Sequence, residues 1–470
     1  MSEKSKFALF FGNRGFFPAS LQIEARAELP RVLKAAGHDF IMMDETATRY
    51  GAVETPREGE AFANFLRDNR GNYDGVILSL PNFGDENGAI SALKDAGVPI
   101  LIQAYPDDLE KMAPEVRRDA FCGKFSVMDV FHQHHLKFSV FKPHVVQPSS
   151  PKFSENLDSF DRVCRVVKGF RHLSVGAIGA RTTAFKSVRF DEITLERAGV
   201  TIETFDLADV IHRVKCMNPA SEALKEKKHA LRVYTSWEGI PDEALENIAR
   251  LGTVIDEIIS EYGLDAIAIR CWLELQQQLG ISPCVLMGLL NNNGKIAACE
   301  VDICNAVAMS ALSYASGGPA TILDWNNNYG EDEEKCILFH CGPVPADLMV
   351  DRGRISDHLI LRNSVGENRS FGCVVGRIAP GDLTFGSLCT ENGRVKTYFG
   401  EGRFTEDPIP SNFFGAAGVA EIDRLQDVLL YTGKNGYRHH VSVTKGKYVA
   451  PIQEALEKYL GFDVVLPQTE

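Results

Sequence analysis

At 470 residues the chain is too long for one compact core, and two to four domains are expected, with three as the working division. Hydrophobic residues at 44% and charged residues at 24% are globular proportions, and no apolar run approaches the ~20 residues that span a bilayer. A net charge of −13 excludes nucleic acid and anionic membrane as expected partners, because neither is drawn to an acidic body.

The N-terminus, MSEKSKFALFFGNRG, has a polar start and one strand-like run without the long apolar core of a signal peptide, so a cytoplasmic location is expected. FALFF predicts a strand, GNRGFFP a glycine turn, and LQIEARAELPRVLKAAG a helix with apolar positions three and four apart. Strand and helix keep alternating through HDFIMMD, a helix ending near Asn69, YDGVILSLPNF, a helix at AISALKDAG, and VPILIQAY. This order predicts a parallel sheet with helices on both faces, and ligand-facing loops at one edge. The Pro- and Ser-rich stretch PHVVQPSSPKFSENLDS separates periodic regions, so the first domain is taken as 1–155.

A second alternating segment, 156–335, contains HLSVGAIGAR, TIETFDLADVIHRV and LDAIAIRCWL. From 336 to 470 the texture turns to short β-type runs, CILFHC, DHLILRN, SFGCVVGRI, LTFGSLC and RVKTYFG, which predict an antiparallel β-barrel-like domain. The expected fold is therefore α/β, with two Rossmann-like doubly wound parallel-sheet domains followed by the β domain. Eleven cysteines without a CxxC pair predict neither a disulfide framework nor a structural zinc site.

Chemistry concentrates in AACEVDICNAVAMSALSYASGGPATILDWNNNYG. Glu300 and Asp302 start an apolar helical run, and either alone reads as a charge placed on the helix dipole. Asp324 follows the strand-like ATIL, where a rigid base can present a carboxylate to a hard cation. Trp325 and Asn326 add stacking and polar surface suited to a sugar. His340 and His440 each adjoin an apolar strand. Two carboxylates with one or two imidazoles suit Mn²⁺, Co²⁺ or a similar ion. The cluster at His132, His134 and His135 reads as a helix face, since adjacent residues point about 100° apart. GNRGFFP has the spacing of neither a Walker loop nor a dinucleotide fingerprint.

Over nearly its whole length the chain resembles the L-fucose/L-arabinose isomerase family, most closely the fucose-isomerase-like branch. The resemblance is carried by NFGDENG, AFCGKFSV, VGAIGAR, CEVDICNA followed by ILDWNN, FHCGPVP, IAPGDLTFGSL and HHVSVTKG; Glu300 and Asp324 stand 24 residues apart. It implies a metal-dependent aldose–ketose isomerase working through a cis-enediol, with one Mn²⁺-like ion (or Co²⁺ or Mg²⁺) on Glu300, Asp324 and His440. Glu300 would be the base and Asp324 its partner, with the roles exchangeable. His340 stands where the arabinose branch has a further histidine ligand and is expected behind the ligands, as an occasional ligand or as a substrate contact, and His439 is the lesser choice beside His440. Trp272, Trp325 and Asn326 are candidate substrate contacts. Arg14 could grip a sulfonate or phosphate at the sugar's far end, or be a surface or intersubunit charge. The substrate the resemblance implies is a monosaccharide, with a 6-deoxy or 6-sulfonated hexose or a pentose as the candidates. A trimer or hexamer is implied, the first domain covering a neighbour's site. The rival readings are a sugar epimerase on the same scaffold and a non-catalytic sugar-binding protein.

Overall fold

A computed structural model describes residues 3–469, which form two compact units, one ending at Lys168 and one beginning at Gly169. In the first, strands β1 (Phe7–Phe11), β2 (Phe40–Met42), β3 (Gly75–Leu80) and β4 (Ile100–Ala104) make a parallel sheet in the order β2-β1-β3-β4. Helices α1 (Ala19–Ala35), α2 (Pro56–Asp68), α3 (Glu86–Leu93), α4 (Ala120–Gln133) and α5 (Pro151–Phe170) surround it. Strand alternation sorts the core into two layers. Ala8 and Phe10 pack with Phe62, Leu93 and Phe131 on one face, whereas Phe7, Leu9 and Phe11 pack with Leu29, Leu33, Phe153 and Phe160 on the other. Burial of both faces explains why FALFF and GVILSL are continuously apolar. Thr55 accepts the Glu58 amide and Pro56 opens the helix, which fixes the start of α2. Helices α2 and α3 then approach so closely that a Cβ on Gly59 would lie 2.3 Å from the Gly88 carbonyl. The expected break near 155 falls inside α5.

The second unit opens with another parallel sheet, ordered β6-β5-β7-β8, from β5 (Leu173–Ile178), β6 (Val200–Phe205), β7 (Ala266–Ile269) and β8 (Ile296–Cys299). Its helices are α6 (Glu192–Arg197), α7 (Leu207–Cys216), α8 (Glu222–Tyr234), α9 (Asp242–Tyr262), α10 (Glu274–Leu279), α11 (Cys284–Asn292) and α12 (Ile303–Ser316). The strands that follow are β9 (Ala320–Tyr329), β10 (Asp332–His340), β11 (Arg354–Ser356), β12 (Cys373–Arg377), β13 (Gly381–Glu391), β14 (Arg394–Phe404), β15 (Ala416–Glu421), β16 (His440–Lys445) and β17 (Asp463–Val465). Six of them close into an antiparallel barrel in the order β9, β10, β15, β14, β13, β16 and back to β9. Closure leaves those strands without a free edge.

Helix α12 contacts β5, β7 and β8 of the sheet and β9, β13 and β16 of the barrel. Residues 303–312 are accordingly all buried, which is why this helix is apolar on every side. Two expectations need correction. The barrel begins at Ala320 rather than near 336, so Asp324 stands on a barrel strand. DHLILRN is not a strand: Asp357 accepts from the amides of Asn368 and Ser370 and from the Ser370 hydroxyl, turning the chain there, and β11 ends just before it.

Candidate metal centre

Strand β8 ends at Cys299, and the next two residues, Glu300 (φ 62°) and Val301 (φ 56°), are both left-handed and buried. A β-branched residue rarely adopts this region, and each such position costs about 1–3 kcal/mol. The double turn halts the strand, presents Glu300 and lets Asp302 cap α12 by accepting the Asn305 amide at 3.1 Å. The barrel supplies the rest. His440 opens β16 directly opposite Asp324 on β9, Asp324 is paired in turn with Phe339 on β10, and His340 is the last residue of β10.

Glu300 Oε2 lies 3.2 Å from His440 Nε2, and Asp324 Oδ1 lies 3.5 Å from the same nitrogen. Among the described residues, neither Glu300 Oε2 nor His440 Nε2 has a hydrogen-bond partner in acceptable geometry, although both are buried. The opposite edge of the imidazole is fixed: His440 Nδ1 meets Asp302 Oδ2 at 2.8 Å. Asp302 is fully buried and also takes Arg438 Nη1 at 2.9 Å and the Asn305 side-chain amide at 2.7 Å. Burial pushes its carboxyl upward, but Arg438 and then His440 outweigh that and hold it at about 2. For His440, burial opposes the charge, while the Asp302 hydrogen bond and the nearby carboxylates of Asp302 and Glu300 raise its value to about 10, so a cation bound at Nε2 would take the place of a proton there.

Ligand-bearing atoms of Glu300, His340 and His440 form one group within 4.8 Å of one another, and those of Asp324, His439 and His440 form another. His440 is common to both. His340 Nδ1 accepts the Cys341 amide at 2.9 Å and lies 3.2 Å from the Cys341 thiol; its Nε2 is buried without a partner among the described residues. Burial disfavours its charged form, whereas Cys341 and then the carboxylates of Asp324 and Glu300 favour it, a balance that a cation on those carboxylates would shift back toward the neutral ring. Behind it, the Cys341 and Cys284 sulfurs lie 3.5 Å apart as free thiols.

The other expected residues are placed less uniformly. Trp272 meets Phe185 edge-on at 5.2 Å, Phe185 stacks on His439 at 5.7 Å, and His439 adjoins His440, so an aromatic wall leads to the centre. Trp325 turns away, its indole nitrogen donating to Tyr398 at 3.2 Å and its ring against Phe385. Asn326 is exposed and bonded to Asn327. Arg14 belongs to the first unit, where Nε donates to the Gly84 carbonyl, Nη2 pairs with Glu86 and the guanidinium lies over Phe83. His132, His134 and His135 are exposed, but α4 ends at Gln133, so only His132 is on the helix: His134 caps it and His135, left-handed at φ 56°, lies beyond it, which corrects the expected helix face. The residues missed in sequence are Asp302 as the orienter of His440, Arg438, and the stacked Phe185. The one available signal was RHH, which places a cation one residue from a histidine pair.

A fucose/sulfoquinovose isomerase N-terminal model matches residues 8–171, and an L-fucose isomerase C-terminal model matches residues 338–467. The chain belongs to the fucose-isomerase-like family. It is an aldose–ketose isomerase, an intramolecular oxidoreductase. The isomerase is 27% identical to a sulfoquinovose isomerase of Priestia aryabhattai over 394 residues, covering 82% of this chain and 84% of that one, and equally to one of Priestia megaterium. A sulfoquinovose isomerase of Alkalicoccus urumqiensis is 24% identical over 315 residues, covering 67% of this chain and 70% of the relative.

Proposed function

We propose that the isomerase converts a 6-sulfonated aldohexose of the sulfoquinovose type to its 2-ketose, using one divalent ion held by Glu300, Asp324 and His440. The observation that carries the ligand set is the convergence of Glu300 Oε2 and His440 Nε2, buried and 3.2 Å apart, with Asp324 Oδ1 beside them. Ligands about 2.1–2.2 Å from one ion and at right angles to each other lie about 3 Å apart, so this contact is the spacing of two ligands. The donor set of two carboxylates and one imidazole fits Mn²⁺, Co²⁺ or Mg²⁺.

When bound, the ion supplies a Lewis acid for the sugar oxygens at C1 and C2. Glu300 removes the proton from C2 and returns it to C1, keeping to one face of the enediol. Asp324 moves the hydroxyl proton between the two oxygens, and the two carboxylates can exchange these roles. Asp302 keeps a proton on His440 Nδ1 and the lone pair on Nε2. Trp272, Phe185 and His439 form an apolar wall for the sugar's C–H faces.

The sulfonate is assigned because the matching curated relatives are named sulfoquinovose isomerases. Arg14, preoriented by Glu86, reads it in a trimer or hexamer whose first unit covers a neighbour's centre. Exposed Phe16, Leu109, Met112, Val116, Phe121 and Phe125, on the first unit's segments following β1 and β4, support such burial between subunits. Among the described residues no helix is long and apolar enough to cross a membrane, and the free thiols support a reducing, cytoplasmic setting. The test is a panel of neutral, 6-deoxy, phosphorylated and sulfonated aldoses, with products read by NMR in deuterated water. Ketose from the sulfonated hexose, deuterated at C1, is expected. An aldose inverted at C2 would make the enzyme an epimerase, and ketose from the other sugars alone would remove the sulfonate.

A further inference from the structure

The two buried histidines beside the centre are chemically different, and their hydrogen bonds show how. A metal-ligating imidazole almost always donates its other N–H to a carboxylate or carbonyl, which leaves the lone pair for the ion. His440 meets that condition, because its Nδ1 faces the Asp302 carboxylate at 2.8 Å. His340 does the reverse. Its Nδ1 receives the backbone N–H of Cys341 at 2.9 Å, and a peptide N–H can only donate. The Cys341 thiol, 3.2 Å away, approaches the same nitrogen. With the Nδ1 lone pair engaged, the proton of neutral His340 resides on Nε2, the buried nitrogen without a partner among the described residues. Using Nε2 as a ligand would require giving up the Cys341 hydrogen bond or removing both ring protons.

We infer that His340 is not a ligand of the ion but a catalytic hydrogen-bond donor, its Nε2–H directed at an oxygen of the sugar's reacting end. The inference rests on the ligand set proposed above. Its position suits a donor, because His340 belongs with Glu300 and His440 in a group spanning less than 4.8 Å and so sits beside the base and one ligand. Negative charge builds on the oxygens at C1 and C2 as the C2 proton leaves, and a fixed donor in a buried site stabilises that charge without reorganising. His340 is 2% exposed and ends a barrel strand, so the donor is held on a rigid element.

The test compares His340→Gln, His340→Asn and His340→Ala with His440→Gln, reading two quantities. Mn²⁺ affinity of the otherwise unaltered protein is measured by the paramagnetic resonance signal of free Mn²⁺, and kcat is measured on the sulfonated hexose. A glutamine amide reaches the place of Nε2, whereas asparagine reaches only that of Nδ1. Mn²⁺ affinity is expected to stay within about threefold in all three His340 variants and to fall by about a hundredfold or more in His440→Gln. The kcat of His340→Ala and His340→Asn is expected to fall about 10²–10³-fold, and His340→Gln to recover at least about tenfold of that loss. Loss of Mn²⁺ affinity in His340→Ala equal to that of His440→Gln overturns the inference while leaving the metal centre in place. Glutamine behaving like alanine overturns it too. An unmutated protein without Mn²⁺ affinity, or a His440→Gln variant with full affinity, overturns the ligand set itself.

Discussion

A histidine binds an ion through a lone pair, and the hydrogen bond at one ring nitrogen decides whether the other carries that pair; here the decision for His440 falls to Asp302. Asp302→Asn removes the charge that fixes this tautomer and strands Arg438, which is 3% exposed. Mn²⁺ affinity should fall about 10–100-fold, and the fold should lose about 3–5 kcal/mol, the cost of an unpaired buried charge. Calorimetric metal titration and urea unfolding check the two losses; unchanged Mn²⁺ affinity would show that Asp302 does not orient the ligand. The same carboxylate sets an acid dependence. Its folded value, about 2, lies below its ordinary 3.8, so its charge stabilises the fold above 3.8, and this contribution is lost as pH falls through about 2. The size is about 2 kcal/mol, and urea midpoints followed across that range should fall more steeply in the wild type than in Asp302→Asn. That Glu300, Asp324 and His440 come together was legible because each sits in a recognisable short motif. The second role of Asp302 was not, because its partners lie 136 and 138 residues along the chain and no local pattern joins them.

At the scale of elements, the site depends on α12 being held between sheet and barrel. Leu312 is fully buried on this helix. Leu312→Ala is expected to cost about 2–5 kcal/mol, read as a lower urea midpoint, and a change below half a kilocalorie (about the surface range) would show that the junction repacks freely. Alternating strands and helices made both parallel sheets legible, since FALFF, GVILSL and AIAI are short apolar runs between amphipathic helices. Barrel closure was not legible. It depends on β16 pairing with β9 and β14 with β15, contacts between segments far apart, and side-chain alternation does not identify a strand's partner. Misreading DHLILRN had a local cause: its apolar residues suggested a strand, while Asp357 turned the backbone by binding residues 368 and 370.

At the scale of the molecule, the described residues form two units, and the residues proposed to hold the ion all lie in the one beginning at Gly169. Substrate reading by the first unit therefore stands or falls separately. Arg14→Ala should lower kcat/KM for a sulfonated hexose at least about tenfold relative to its neutral counterpart, the loss of a charged hydrogen bond; an unchanged ratio would remove Arg14 from the substrate. Light scattering should give three or six chains per particle, whereas a monomer with full activity would exclude the shared site. Family membership fixes the reaction class, and the proposed chemistry assigns its execution to Glu300 and a divalent ion. The decisive measurement is turnover of the sulfonated hexose followed by NMR through chelation, Mn²⁺ return and Glu300→Gln. Ketose formation should stop on chelation, resume with Mn²⁺ and be absent in Glu300→Gln; undiminished turnover in the chelated protein or in that variant would contradict the assignment.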